Sequence, residues 1–395
     1  MTNADRGEYR GLQFSIFAGA FVLGIAVSAL GSLLPALFPV IGYQKADAGG
    51  LFLAMNLAML VGSLLFGPVC DRFGFRILLL SSTLLVAGAF ALLAGATIYR
   101  AVLTALLVLG FGGGALNGAI NALLNDIRPD RRQRALNLLG LYFGCGALFT
   151  PFLTGSALES IGLRAILLGL MLLSLGPFLL FLLADFPAPK HQGGFSRSEL
   201  RALFRNPLLF LFGVLLFFQS GNEFTIGGWL STYLGESVHM SARSAAYALA
   251  GYWTAFMLGR LAASRWAERM SSPTLVMGSA ALGCLAVCGL IIVPGPLAAS
   301  LWVILIGLGF AAIFPTILAE AGAIFAQYSG TAFGAIFVMA LCGGMTAPWA
   351  VGRIAQERGV GAGFWITALS CAAIIVLQAV IRFRMAAEQR THSGY

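Results

Sequence analysis

Gly62-Ser63-Leu64-Leu65-Phe66-Gly67-Pro68-Val69-Cys70-Asp71-Arg72-Phe73-Gly74-Phe75-Arg76 joins two apolar runs, residues 49–69 and 77–98. Each run has about the 20 residues a helix needs to cross the ~30 Å hydrocarbon layer of a bilayer. An acid and two arginines stand between them, with glycines on both sides. A short charged turn between two membrane-length runs reads as a helical hairpin inserted in lipid. Glycines on such a helix let a neighbouring backbone approach closely. Asp71 with Arg72 and Arg76 can form a charge relay that latches one conformation, and Gly67 and Gly74 belong to the same candidate latch.

The rest of the chain repeats that pattern. Apolar runs bounded by glycine, proline or charge fall at 12–40, 49–69, 77–98, 101–124, 135–158 and 165–184 (spans 1–6). A second set falls at 208–234, 244–264, 274–293, 298–320, 330–351 and 361–381 (spans 7–12). The composition agrees: 59% of the 395 residues are hydrophobic, 10% are charged and the mean hydropathy is +0.90. A soluble domain carries about 25% charged residues, so lipid is the expected solvent. Span 1 is too long for the core of a cleaved signal peptide and is expected to be retained.

The net charge of +9 does not read as a nucleic-acid footprint, because the basic residues lie in short stretches between apolar runs. With a cytoplasmic N-terminus, eighteen lysines and arginines fall inside and six outside. The positive-inside rule therefore places both termini in the cytoplasm. The six cysteines lie in or at the ends of apolar runs and read as small hydrophobes rather than a disulfide framework.

The two sets also match each other at a constant offset of 197 residues. Gly24 and Gly31 fall on Gly221 and Gly228, and Gly62, Asp71 and Arg72 fall on Gly259, Glu268 and Arg269. Gly110 falls on Gly307, and Pro151 and Gly155 fall on Pro348 and Gly352. One offset held through an acid–arginine pair and a helix-breaking proline indicates two parallel repeats, with the solute site at their interface near mid-bilayer. The expected divisions are residues 1–184, a cytoplasmic linker at 185–207, and residues 208–395.

The Gly62–Arg76 stretch resembles the signature G-x-x-x-D-R-x-G-R-[RK] of the major facilitator superfamily. The closing basic pair is reduced here to Phe75-Arg76, and a weaker second copy runs from Gly259-Arg260 to Glu268-Arg269. The resemblance implies an all-α membrane protein of the major facilitator fold, with twelve transmembrane helices in two pseudo-symmetric six-helix bundles. Arg260, Glu268 and Arg269 join the latch set on the same ground. Phe218-Gln219-Ser220-Gly221-Asn222-Glu223 through Gly228-Trp229 and Tyr233 in span 7, with Tyr252-Trp253 in span 8, look like the fucose–galactose–hexose branch. That branch carries an Asp before the proline of its first helix and a Glu in its fourth. Here Ala29-Leu30-Gly31-Ser32-Leu33-Leu34 precedes Pro35 and Asn117 stands where the Glu would be, so the branch's proton path is not carried over.

Glu223 is the acid placed well inside a span. An intramembrane carboxylate costs at least about 2.5–3.5 kcal/mol on insertion scales and normally faces a cavity or a partner. It reads as a proton acceptor, a sodium ligand, an acceptor for solute hydroxyls, or a tie between helices. Arg260 is expected nearer the cytoplasm, in the latch rather than paired with Glu223. Gln219 lies one turn before Glu223 on the same face, with Asn222 beside it, and Asn117 and Asn121 share a face of span 4. Trp253, Tyr142 and Trp229 are candidates for stacking on a solute ring, Tyr233 reads as part of an interfacial aromatic belt, and Asn56 is a further polar candidate. Asp126 and Glu320 are expected in solvent or in contacts between the halves.

The chain is not expected to be an enzyme. His191, His239 and His392 show no ligand spacing, there is no phosphate-binding GxxxxGK[ST] string, and no metal or cofactor site is read. The expected function is secondary transport of a small polar solute, a sugar, by alternating access, with proton or sodium as possible coupling ion. Proton-driven efflux of amphipathic compounds, an uncoupled sugar uniporter and a membrane receptor are the alternatives. The expected setting is a bacterial inner membrane and the expected state a monomer, with lipid and a small-molecule solute as partners.

Overall fold

The computed structural model describes residues 10–42, 44–127, 132–186, 206–266, 269–293, 295–325 and 329–392. Helices run over Arg10–Ile41, Lys45–Gly95, Tyr99–Ile127, Arg132–Leu183, Pro207–Glu236, Ala242–Trp266, Ser272–Ile292, Pro296–Ala311, Ile313–Ile324, Ser329–Arg358 and Val360–His392. At 1.5 Å per residue the 51 residues of Lys45–Gly95 would reach roughly 75 Å, far more than one crossing. Gly74 (φ +77°) breaks that run and Gly162 (φ +77°) breaks Arg132–Leu183, so each holds two spans joined by one left-handed glycine. Pro296–Ala311 and Ile313–Ile324 together make span 10, interrupted at Ala312. The result is the twelve spans expected from the sequence.

The chain divides into two compact units, Met1–Gln192 with Ser241–Ala250, and Gly193–Met240 with Gly251–Tyr395. In the first, span 4 packs on spans 2 and 3, and span 1 on span 5. Residues 241–250 join it through Arg243, which donates to Glu159 (2.5 Å), and through Tyr247, whose hydroxyl meets Ser156 (3.1 Å). In the second, span 7 packs on span 11, and span 9 on spans 10 and 12. Large apolar side chains such as Leu172, Leu183, Leu297, Leu369 and Phe383 are exposed, as lipid-facing residues should be.

Glycine crossings hold both units and fall in equivalent places. A Cβ at Gly146 would strike the Phe21 carbonyl, and one at Gly343 the Phe217 carbonyl. Gly110 lies against the Met55 carbonyl and Gly307 against that of Tyr252. The glycines, and Met55 with Tyr252, stand at the 197-residue offset, Phe21 and Phe217 one residue short of it; the turn residues Gly42 and His239 (φ +63° and +59°) and Gly162 and Gly359 (φ +77° and +81°) stand at the offset too. The repeat read from the sequence is thus repeated in backbone conformation and in packing.

Candidate functional site

Span 7 begins at a proline-led cap, with the Asn206 side chain accepting from the Leu208 N–H (2.9 Å). Three turns on it presents Gln219 and then, one turn later, Glu223. The Gln219 amide Nε2 donates to Glu223 Oε1 (2.9 Å) and to the Phe310 carbonyl (3.1 Å). Phe310 is the penultimate residue of Pro296–Ala311, where span 10 is interrupted. At this break the Phe310 carbonyl accepts from the Ala312 N–H and, from the neighbouring helix, the Gln219 amide.

Span 8 brings Tyr252, Trp253, Phe256 and Arg260 to the same place. Tyr252 and Trp253 meet edge-on at 5.2 Å, Trp253 and Phe256 at 5.7 Å, and the Arg260 guanidinium lies 4.5 Å from the Phe256 ring centroid. Glu223 interacts electrostatically with Arg260 and with Tyr252. Among the described residues no ion pair within 4.0 Å joins Glu223 to Arg260, so the two interact at longer range. Four polar atoms in the cluster are buried without a protein partner: Gln219 Oε1, Tyr252 Oη, Trp253 Nε1 and Arg260 Nε.

Arg260 interacts with Glu223 at longer range than an ion pair. Its Cα position along span 8 suggested a place in the latch, but helical side chains lean toward the N-terminus of their helix. The Arg260 guanidinium accordingly folds back over Phe256, one turn earlier, and reaches toward Glu223. Of the other latch residues, Asp71 and Arg72 are exposed, with Arg72 over the Phe73 ring (5.3 Å). Arg76 donates to the Leu182 carbonyl (3.0 Å) at the end of span 6. Gly62, not Gly67, makes the close approach: a Cβ there would strike the Phe111 carbonyl, whereas Gly67 has open space. Gly74 serves by its positive φ. Arg269 is exposed, and Glu268 lies outside the described residues.

Several candidates go elsewhere. Asn222 donates to Cys371 Sγ (3.5 Å) and ties span 7 to span 12. Trp229 is fully buried, donating to the Pro348 carbonyl (3.0 Å), and Tyr233, expected at an interface, is buried with its hydroxyl on the Leu290 carbonyl (2.8 Å). Both rings are structural parts of the second unit. Glu320 accepts from Gln378 Nε2 (2.9 Å) within that unit rather than lying free in solvent.

In the first unit the Asn121 amide donates to the Asn117 carbonyl (2.8 Å) and to its Oδ1 (3.1 Å). Asn125, one turn further on, has a buried Oδ1 with no partner and extends that face. The same four-residue spacing could have found it. Asn56 bonds its own helix at the Phe52 carbonyl (2.9 Å), leaving Oδ1 unpaired, and Tyr142 stacks flat on Phe17 (5.0 Å, 4°).

Residues 16–340 and 214–395 match the Major Facilitator Superfamily. The chain belongs to that superfamily. This major facilitator protein is 27% identical over 383 residues to an uncharacterized transporter, y4wD, of Sinorhizobium fredii, covering 93% of this chain and 97% of the relative. It is 25% identical over 355 residues to a Helicobacter pylori protein assigned provisionally to glucose/galactose transport, covering 85% of this chain and 86% of that one. Its fold superposes on a mutant of the nucleoside transporter NupG with a TM-score of 0.78 at 16% identity, over 93% of this chain and 98% of the other. The protein is a multi-pass membrane transporter and not an enzyme.

Proposed function

We propose that this facilitator is a secondary transporter of a sugar-sized, hydroxyl-rich solute, working by alternating access, with Glu223 as the group that binds or couples. The observation that carries the reading is the convergence of Gln219, Glu223 and Arg260 with three aromatic rings, where four buried polar atoms lack partners. Leaving a buried donor or acceptor unmade costs about 1–3 kcal/mol, so such a cluster is matched to something that visits it. Solute hydroxyls can donate to Glu223 and Gln219 Oε1 and accept from Arg260, Trp253 and Tyr252, while Trp253 and Tyr252 offer ring faces.

Sequence likeness to the glucose/galactose relative and to the fucose–galactose–hexose branch supports the sugar class. Asn117, Asn121 and Tyr142 are further proposed solute-binding residues. The proposed setting is a bacterial inner membrane with cytoplasmic termini and a monomeric carrier, and a proton or sodium on Glu223 is the proposed coupling. Efflux of amphipathic compounds takes support from the acid-free span 1, and an uncoupled uniporter from the missing acids of spans 1 and 4.

The test is uptake of radiolabelled pyranoses, neutral and acidic, into proteoliposomes, with and without inward proton or sodium gradients. Saturable uptake stimulated by one gradient is the expected result, with the stimulation lost in Glu223→Gln while binding persists. Uptake indifferent to both gradients identifies a uniporter. Absence of uptake for every pyranose rejects the sugar class and turns attention to efflux.

A further inference from the structure

We infer that the solute carries a carboxylate, and that Arg260 with Trp253 and Tyr252 receives it; this rests on the sugar-sized solute proposed above. The polar atoms of the cluster are not mixed at random. Span 7 presents acceptors, Gln219 Oε1 and the Glu223 carboxylate, whose Oε1 already takes the Gln219 amide. Span 8 presents donors: Arg260 Nε, Trp253 Nε1 and the Tyr252 hydroxyl, all buried and unpartnered. A ligand that satisfies both sides gives hydroxyl protons to span 7 and acceptor oxygens to span 8. Neutral hydroxyls can serve span 7, but the span 8 donors include a guanidinium whose planar fork matches the two oxygens of a carboxylate better than a single hydroxyl.

The guanidinium is also held for such a task. It lies over the Phe256 ring at 4.5 Å, a packing that fixes its plane. Glu223 is farther than a direct ion pair, so Arg260 is not already consumed by it. The charges balance as well. The groups that interact with Glu223 are Arg260 and Tyr252 of span 8 and the Gln219 amide of its own helix. An arriving monoanion together with one proton on Glu223 leaves the cluster neutral, as it is with Glu223 ionised and Arg260 charged. A sugar acid, hydroxylated along its length and anionic at one end, has this chemistry.

The experiment compares D-glucuronate, its methyl ester and D-glucose in proteoliposomes of the full chain, with thermal stabilisation of the purified protein as a second readout. Glucuronate is expected to be taken up at least about tenfold better than the ester or glucose, since a site built around a buried donor rejects an analogue that leaves it unpaired. Arg260→Gln is expected to remove that preference and Arg260→Lys to keep part of it. Should Arg260→Gln fail to fold, Trp253→Phe, which keeps a ring and drops one donor, should lower the preference several-fold. Uptake of glucose or the ester equal to or above that of glucuronate overturns the carboxylate while leaving the sugar reading intact. A preference unchanged in both Arg260→Gln and Trp253→Phe overturns the assignment to these residues. No uptake or stabilisation by any of the three overturns the inference together with the reading beneath it.

Discussion

The two units share a scaffold and differ in chemistry. At the 197-residue offset, Gln219 and Glu223 correspond to Val22 and Ala26, and Tyr252, Trp253, Phe256 and Arg260 correspond to Met55, Asn56, Met59 and Ser63. The crossings around these positions match, with Gly110 on the Met55 carbonyl and Gly307 on that of Tyr252. A charged, aromatic cluster in one unit therefore corresponds to apolar residues, one asparagine and one serine at the equivalent places of the other. Packing is preserved where backbones touch, and side chains are free to diverge beside it.

The largest expected effect would break the shared scaffold. Gly146→Ala and Gly343→Ala each put a Cβ onto a facing backbone carbonyl, and each should cost roughly 3 kcal/mol or more, by analogy with overpacked cores. Thermal unfolding in detergent measures this. A large loss for one and none for the other would end the structural equivalence of the two crossings. Next in size, Glu223→Gln should reduce gradient-driven accumulation about tenfold, the scale of one catalytic-type interaction of ~1.4 kcal/mol. Unchanged accumulation would remove Glu223 from transport.

The comparison sharpens at Trp253 and Asn56, which share a repeat position. Trp253→Ala strips a ring from the cluster and should weaken solute binding several-fold, by about 1 kcal/mol. Asn56→Leu breaks a bond within its own helix and should change affinity by less than about twofold. Equal effects on a binding isotherm would argue that Asn56 takes part in solute binding as much as Trp253 does. Smallest, Tyr233→Phe loses the hydrogen bond to Leu290 and should lower stability by about 1 kcal/mol with transport kept. A transport defect at normal stability would return Tyr233 to the solute path.

The fold was legible because its determinants are local. Run length gave the spans, and the repeat offset reappears in paired turns such as Gly162 and Gly359. The site was legible in part, through Glu223 and Gln219, because an acid and an amide one turn apart in a lipid-soluble helix are conspicuous. Arg260 was assigned to the latch from its Cα position, and its contact with Phe256 was not legible because a long side chain acts a turn away. Asn222 and Gln219, three residues apart, separated into a tie to Cys371 and a member of the cluster; only packing decides which face meets which neighbour. Tyr252 and Phe256 were overlooked because aromatic residues in apolar helices carry no signal of their own.

The single-glycine turns at Gly74 and Gly162 bear on how the chain is made. Each joins two spans with no loop between them. A segment of that kind has only a few charged residues at its turn, Asp71, Arg72 and Arg76 or Glu159 and Arg164, to stay in water while its second arm is synthesised. Spans 2 and 3, and likewise 5 and 6, are therefore expected to enter the bilayer as hairpins, which would make a pair of helices, rather than one, the unit of insertion at these places.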